Sequence, residues 1–356
     1  MKKLRIAHVA PLWFTIPPKK YGGIERIVAE LANGQVARGH KVTLFAAAGS
    51  KTRAKLVTVY DKPLTQAGIP WQNPLWNLEN LSACFKRAAD FDIIHSHLDL
   101  WTLFFQEQTA TPVVHTFHNQ LYRTAHGLDD RLELFSAHRR TTNGVFISQA
   151  ERKKAKVHFL KNWVIYNGVP LDHFRFRANP HDYFVWIARV NKHKGVENAI
   201  AAAKRAGVKL LLAGRIDPVQ RDYFRKVIKP KLTRNIRYVG ELSERELPAL
   251  YGGARALLYP IEWEEPFGLV MAEAMACGTP VIAYPRGSVP ELVKHGKTGF
   301  LAHSIAGLVR AMRRVDEIDR RACRVWVEKK FSVDGMVENY EKLYHRILAN
   351  TNIRKK

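Results

Sequence analysis

Residues 163–187 read WVIYNGVPLDHFRFRANPHDYFVWI, and their reading decides how the chain is organised. Asn167, Gly168, Pro170 and Pro180 interrupt helix and strand patterns across residues 163–180, which read as a loop-rich link. An apolar run at residues 183–187 follows and reads as a strand. Upstream, residues 4–10, 41–46, 93–95, 113–116 and 144–147 read as strands, and residues 23–38 place Ile24, Ile27, Val28, Leu31 and Val36 at helical spacing. Downstream the alternation restarts, with strands at 209–213, 236–239, 256–259 and 281–283. Helices are expected between them at 196–206, 219–228, 244–251 and 266–276, the last stopped by Gly278. Continuous apolar strands alternating with helices predict parallel sheets covered on both faces. The expected fold class is α/β, with two doubly wound, Rossmann-like domains: residues 1–165, a linker at 166–180, and residues 181–331. Ligands of such sheets bind at strand carboxyl ends, so the cleft between domains is the expected site. Residues 333–348 carry Val333, Met336, Val337, Tyr340, Leu343 and Ile347 on one helical face, behind Ser332 as an N-cap, and must pack on something.

Composition narrows the function. A chain of 356 residues fits two domains, and 46% hydrophobic with 25% charged residues is ordinary globular composition. The outlier is charge: 57 Lys and Arg against 32 Asp and Glu, for a net +25, which favours polyanions or phosphorylated small molecules as partners. Cys84, Cys277 and Cys323 lie far apart, which excludes a disulfide framework and a Cys-based zinc site and fits a reducing compartment. The start, MKKLRIAHVAPLW, superficially resembles a signal peptide, but its apolar stretch is short and holds Arg5 and His8; it reads as a buried first strand. The expectation is a cytoplasmic protein, peripheral on the inner face of the membrane if it meets lipid at all.

Four segments are candidates for chemistry. Residues 262–280, EWEEPFGLVMAEAMACGTP, put Glu265 before a helix start and Glu273 about two turns in. Backbone N–H groups at that start suit phosphate, and the two carboxylates suit sugar hydroxyls on either side; the alternative is a solvated acidic helix start. Residues 187–195, IARVNKHKG, place Arg189 and Lys194 at a strand's carboxyl end, as a diphosphate clamp or an ordinary basic loop. Tyr21-Gly22-Gly23 lies at a strand-to-helix turn, permitting close approach to a ligand or simply turning the chain. It is neither a Gly-x-Gly-x-x-Gly motif nor a P-loop, so nicotinamide-dinucleotide and nucleotide-triphosphatase fingerprints are missing. His95, His97, His115 and His118 cluster at strand ends without a supporting carboxylate or Cys, so no metal is expected. His118 reads as a cleft-facing donor to a substrate hydroxyl, and His95 and His115 as packed residues.

Taken together, these segments resemble glycosyltransferase family 4, retaining enzymes of the GT-B fold. The matches run in the family's order over nearly the whole chain: Gly22-Gly23, His118, Asn167-Gly168-Val169, Arg189, Lys194-Gly195, Glu265-Pro-Phe-Gly268 with Glu273 and its flank, and Gly287 through Glu291. The resemblance implies that Arg189 and Lys194 bind the diphosphate of a nucleotide-sugar donor, aided by Phe267, Gly268 and Leu269. It implies that Glu265 contacts the donor sugar and Glu273 the ribose, that Gly23, beside Gly22, approaches the diphosphate, and that His118 lies near the reacting sugar. It implies a final helix, 332–350, packed back on the first domain, and retention by front-face attack. A UDP-sugar is favoured over a GDP-sugar, with no further cofactor. Asn119 stands where an Asp often follows the histidine, and EWEE is more acidic than the family's usual run. Without an Asp-x-Asp motif of the kind that the metal-dependent class uses, metal-independent hexosyl transfer is expected. Rival readings are a same-fold sugar phosphorylase, a nucleotide-sugar epimerase and a nucleic-acid-binding protein; dispersed basic residues and missing zinc-finger or RNP motifs argue against specific nucleic-acid binding. Basic clusters at Lys2-Lys3-Arg5, Lys51-Arg53-Lys55, Arg139-Arg140 and Arg152-Lys153-Lys154-Lys156, with Trp71, Trp76, Phe104 and Phe105, suggest an anionic membrane surface as partner. The acceptor is then a glycan, a lipid-linked or cell-envelope molecule, or a small molecule.

Overall fold

The computed structural model describes residues 2–20, 22–121 and 130–353. The chain divides into two compact units, Met1–Gly168 with Val333–Lys356, and Val169–Ser332. The first contains β1 (Arg5–Val9), α1 (Gly23–Ala37), β2 (Lys41–Phe45), β3 (Lys55–Val57), α2 (Leu75–Phe85), β4 (Ile93–Ser96), α3 (Leu103–Gln106), β5 (Val113–Phe117), α4 (Asp130–Ala137), β6 (Asn143–Phe146), α5 (Gln149–Lys154) and β7 (Lys161–Val164). The second contains β8 (Phe184–Ile187), α6 (Val196–Ala206), β9 (Leu210–Ala213), α7 (Arg221–Tyr223), β10 (Ile236–Gly240), α8 (Leu247–Gly253), β11 (Leu257–Tyr259), α9 (Leu269–Ala276), β12 (Val281–Ala283), α10 (Val289–Leu292), β13 (Gly299–Leu301), α11 (Ile305–Arg313) and α12 (Arg320–Lys330). The long α13 (Val333–Ile353) then belongs to the first unit.

Both sheets are parallel. The first runs β3-β2-β1-β4-β5-β6-β7 and the second β10-β9-β8-β11-β12-β13. Their central strands are buried on both faces, so β8 reads as an unbroken apolar run and β4 and β5 show no alternation, although both carry buried polar residues. Strand order reverses between β1 and β4 and between β8 and β11, and ligands of doubly wound sheets collect at such points.

Several expected elements are displaced for physical reasons. Trp163 and Val164 belong to β7, a half-buried edge strand too short and polar to stand out, so the first sheet extends into the expected link. Residues 169–180 carry no regular element but are held in the second unit: Arg324 donates to the carbonyls of Leu171 and Phe174, and Arg177 N donates to Cys277 O at 3.1 Å. The helix expected from 266 starts at Leu269 because Gly268, at φ 81°, turns left-handed just before it. The helix expected over 244–251 is α8, which starts at Leu247 with Pro248 in its first turn. The elements β3, β13 and α10 are too short for a periodic pattern to make them legible, whereas α11, with Ile305, Leu308, Val309 and Met312 on one face, and the 11-residue α2 and α12 escape the sequence reading.

The α13 helix seats on α1 through a glycine. A Cβ at Gly34 would stand 2.7 Å from Val337 Cγ2, so only a bare backbone admits the contact. Arg38 and His40 add polar contacts to the buried Glu341 at 3.2 and 3.0 Å. Of the aromatics suggested for a membrane surface, Trp71 and Phe104 are exposed, whereas Trp76 packs on Tyr60 and Phe105 on the core around Phe91. Among the described residues no helix is long and apolar enough to cross a membrane.

Overpacking a tight helix contact costs about 1–3 kcal/mol. Gly34→Val is therefore expected to lower the urea midpoint, and adding Val337→Ala to recover a substantial part of the loss. Strictly additive losses would show that the two positions do not touch.

Candidate active site

The site in the second unit is built where β8 and β11 end. After β8, Asn191 Oδ1 accepts from His193 N at 2.9 Å and closes a short turn. That turn is pinned from both sides, by Trp186 Nε1 donating to Lys194 O at 3.0 Å and Glu262 N donating to His193 O at 2.9 Å. Gly195 makes the approach feasible: at φ 71°, its Cβ would fall 1.8 Å from the carbonyl oxygen of Pro260. The loops after β8 and β11 thus lie against each other, and Lys194 Nζ comes 2.9 Å from Glu265 Oε2 and 4.3 Å from the Trp263 ring centroid.

Three donors converge on one carboxylate oxygen. Besides Lys194, Tyr259 OH donates to Glu265 Oε2 at 2.7 Å and Trp263 Nε1 at 3.0 Å. Among the described residues Oε1 has no hydrogen bond and remains a free acceptor. Burial pushes the Glu265 carboxyl up, but the charge and hydrogen bond of Lys194, with the two aromatic donors, outweigh it and hold the group below its ordinary value. Glu265 is therefore an anion fixed in one orientation.

The other residues singled out from the sequence lie around this pair or in separate surroundings. Gly268 caps α9, whose first amides, Leu269 onward, have no partner within the helix. Phe267 is buried against Phe331, and its carbonyl accepts from Ser288 Oγ at 2.8 Å. Glu273, on α9, is buried and accepts from Tyr251 OH at 2.9 Å. Arg189 is half-buried and pairs with Asp217 at 3.2 Å, which Arg215 also contacts at 3.2 Å. The acidity of EWEE is structural in two of its three glutamates: Glu262 accepts from Asn198 at 2.8 Å, and Glu264 accepts from Gly287 N at 2.6 Å.

In the first unit, Gly22 and Gly23 start α1 and Tyr21 lies outside the described residues. Beside them Glu25 is buried, and burial pushes its carboxyl up to about 7. His118, just past β5, is half-buried and its Nε2 lies 3.0 Å from His97 Nδ1. His97 Nε2 meets His8 Nδ1 at 3.2 Å, and His8 Nε2 meets Gln35 Oε1 at 2.7 Å. His95 lies between Tyr344 OH at 2.6 Å and Thr116 Oγ1 at 2.7 Å. Ring nitrogens of His8, His95 and His97 come within 4.8 Å of one another, as around a cation, yet all six already face hydrogen-bond partners. His115 points elsewhere, to Gln106 Oε1 at 2.7 Å. Burial pulls His8 and His118 down to about 4 and His115 to about 3, so these rings are neutral at physiological pH. Asn119, at the departure from the family's pattern, donates to Asp99 at 3.4 Å.

Two family profiles divide the chain between them: Glycosyltransferase Family 4 matches residues 21–173, and Glycosyl transferases group 1 matches residues 172–329. The chain belongs to the family 4 glycosyltransferases. A glycogen synthase of Mycobacterium tuberculosis is 36% identical to this glycosyltransferase over 165 residues, 43% of the chain and 39% of the synthase. The match thus spans under half of that relative's length. A phosphatidyl-myo-inositol mannosyltransferase of Mycobacterium leprae is 26% identical over 332 residues, 84% of this chain and 83% of that protein. Among solved structures, sucrose-phosphate synthase from Thermosynechococcus elongatus superposes with a TM-score of 0.82 at 23% identity, covering 98% of this chain and 100% of that one. Anabaena HepE, solved in complex with UDP-glucose, gives 0.75 at 19% identity, covering 96% of this chain and 100% of that one. At these identities the structural likenesses speak to the fold, which is GT-B.

Tyr259, Trp263, His8, Gln35 and Glu25 escaped the sequence reading as site residues, and His97 entered it only as a member of the strand-end histidine cluster. Trp263 lies inside the quoted motif and carried a signal, an aromatic donor two residues from the key carboxylate. The rest sit on apolar strands or helix faces, where a polar residue reads as incidental until its partner is known.

The buried histidines generate a pH prediction. Above pH 6.5 they are neutral folded or unfolded; as pH falls, the unfolded chain takes up protons that the folded one refuses, and stability is lost toward about pH 4. The urea midpoint should be lower at mildly acidic than at neutral pH. His115→Gln should shrink that difference, because His115 alone accounts for roughly 2 kcal/mol near pH 5.

Proposed function

We propose that this glycosyltransferase moves a sugar from a nucleotide diphosphate sugar, a UDP-sugar in preference to a GDP-sugar, to an acceptor hydroxyl with retention of configuration and without a metal. The observation that carries the reading is the Lys194–Glu265 pair, with three donors saturating Oε2 and leaving Oε1 open. An anionic oxygen held rigidly beside a helix N-terminus suits a sugar hydroxyl on one side and phosphate oxygens on the other. On this reading Lys194, Arg189 and the amides of Phe267, Gly268 and Leu269 neutralise the leaving diphosphate, Glu265 accepts from the donor sugar, and Glu273 serves the ribose. Gly22 and Gly23 serve the diphosphate, and His118 the reacting sugar. Departure of the diphosphate then generates the charge these groups are placed to stabilise, and one of its oxygens takes the acceptor's proton. The likeness to HepE, solved with UDP-glucose, supports the donor class.

Lys194→Ala and Glu273→Ala are each expected to weaken nucleotide-sugar binding at least about tenfold, a loss near 1.4 kcal/mol, whereas Glu265→Ala lowers kcat more than it raises KM. Calorimetric titration with nucleoside diphosphates and steady-state kinetics check both. Unchanged affinity in all three variants would refute the assignment.

The acceptor side invites a lipid-linked or cell-envelope glycan. Lys2, Lys3, Arg5, Lys51, Arg53, Lys55, Arg139, Arg140, Arg152, Lys153, Lys154 and Lys156 are exposed, as are Trp71 and Phe104. Cations near an anionic surface contribute about 1 kcal/mol each. Sedimentation with phosphatidylserine-containing vesicles should pellet the protein and neutral vesicles should not; equal, negligible pelleting in both would sink the membrane reading.

A further inference from the structure

The buried chain from Gln35 to His118 has a direction. A neutral imidazole carries one N–H and one lone pair, so each ring can pass a single proton preference along the chain. Gln35 turns its Oε1, which can only accept, toward His8 Nε2. That nitrogen must carry the hydrogen, leaving His8 Nδ1 bare to accept from His97 Nε2–H. His97 Nδ1 is then bare and accepts from His118 Nε2–H. The lone pair of the series ends on His118 Nδ1, which has no hydrogen-bond partner among the described residues.

On its other side the Gln35 amide reaches α13. Gln35 Nε2 donates to Tyr344 OH at 3.3 Å, and that hydroxyl donates to His95 Nδ1, whose Nε2–H donates to Thr116 Oγ1. Every donor in this account meets an acceptor. Turning the Gln35 amide over would reverse each link and put the hydrogen on His118 Nδ1. An unpaired polar atom here would carry the full desolvation penalty, so the network holds one polarity throughout.

We propose that Gln35, His8 and His97 are positioning residues that fix the tautomer of His118, so that its Nδ1 is offered to the bound sugar as a hydrogen-bond acceptor. The proposal rests on the reading that His118 meets the reacting sugar, and it replaces the hydroxyl donor expected from sequence with a hydroxyl acceptor. His118 Nδ1 then orients a sugar O–H, while Nε2 is spent on His97.

The tautomer can be read in the intact protein. With ring-nitrogen-15 histidine incorporated, long-range proton–nitrogen correlation spectra at neutral pH separate protonated from bare nitrogens, and His118→Gln identifies the His118 signals. The expected result is a protonated Nε2 and a bare Nδ1. Gln35→Leu removes the group that sets the polarity; His118 should become a mixture of tautomers, with kcat falling about tenfold and donor KM held within about twofold. Tyr344→Phe keeps the ring and removes only the hydroxyl that Gln35 Nε2 meets; it should give the same change in smaller measure, which covers the case in which Gln35→Leu fails to fold. A protonated Nδ1 in the wild-type spectrum, or a His118 tautomer unmoved by both substitutions, overturns the relay. Full turnover in His118→Gln would instead overturn the role of His118 on which the proposal rests, a failure distinct from that of the tautomer.

Discussion

Glu265 brings a negative charge into a position only 7% exposed, and leaving such a charge without its partner costs about 3–5 kcal/mol. Much of the second unit's local structure follows from meeting that demand. Lys194 must reach the carboxylate, so the loop after β8 must lie on the loop after β11. That approach needs a residue without Cβ at 195 and a turn closed by Asn191. Trp186, otherwise a core residue, donates to the Lys194 carbonyl and fixes the backbone from below. The aromatic donors Tyr259 and Trp263 satisfy what one lysine cannot. The result is a pair whose orientation is settled before any ligand arrives, which is the condition for electrostatic preorganisation.

The two sheets solve the same problem in opposite ways. Both have their strand-order reversal near polar groups that must be kept out of water. In the second unit the groups are ionised and paired. In the first they are neutral imidazoles, an amide and hydroxyls, joined so that every donor finds an acceptor. A neutral network escapes the desolvation penalty of a charge but depends on completeness, since one missing link strands a buried lone pair or N–H. This gives α13 a reason to return to the first unit beyond apolar packing: Tyr344 and Tyr340 cap the two ends of the His95 branch.

The alternation of apolar strands with helices was enough to read two parallel sheets, because strands buried on both faces leave a signal independent of partners. Edges were poorly legible: β3 and β13 are three residues long, and β7 mixes Lys161 and Asn162 with Trp163. In the site, Glu265 and Lys194 stood out because the motifs around them resemble a family's pattern; charge beside a helix start or in a basic loop is ordinary on its own. Tyr259 and His8 did not, because each sits in an apolar strand and its meaning is a hydrogen bond to a residue fixed only by the fold. Glu262 and Glu264 registered only as unusual acidity, and their carboxylates hold loops together.

The net charge of +25 looks different once the pairs are known. Lys194 is already neutralised by Glu265, and Arg189 is engaged with Asp217, so the candidate donor site is not simply a reservoir of open positive charge. The two pairs differ in how firmly they are held. The side chains of Lys194 and Glu265 are 14% and 9% exposed, against 38% and 20% for Arg189 and Asp217. Solvent screens the second pair and weakens it toward the roughly 0–1 kcal/mol of a surface ion pair. On the proposed chemistry, Arg189 is therefore the cation that can exchange a carboxylate for a diphosphate oxygen at little cost. Lys194 must meet the phosphate while keeping Glu265, which holds sugar and diphosphate contacts in one fixed relation.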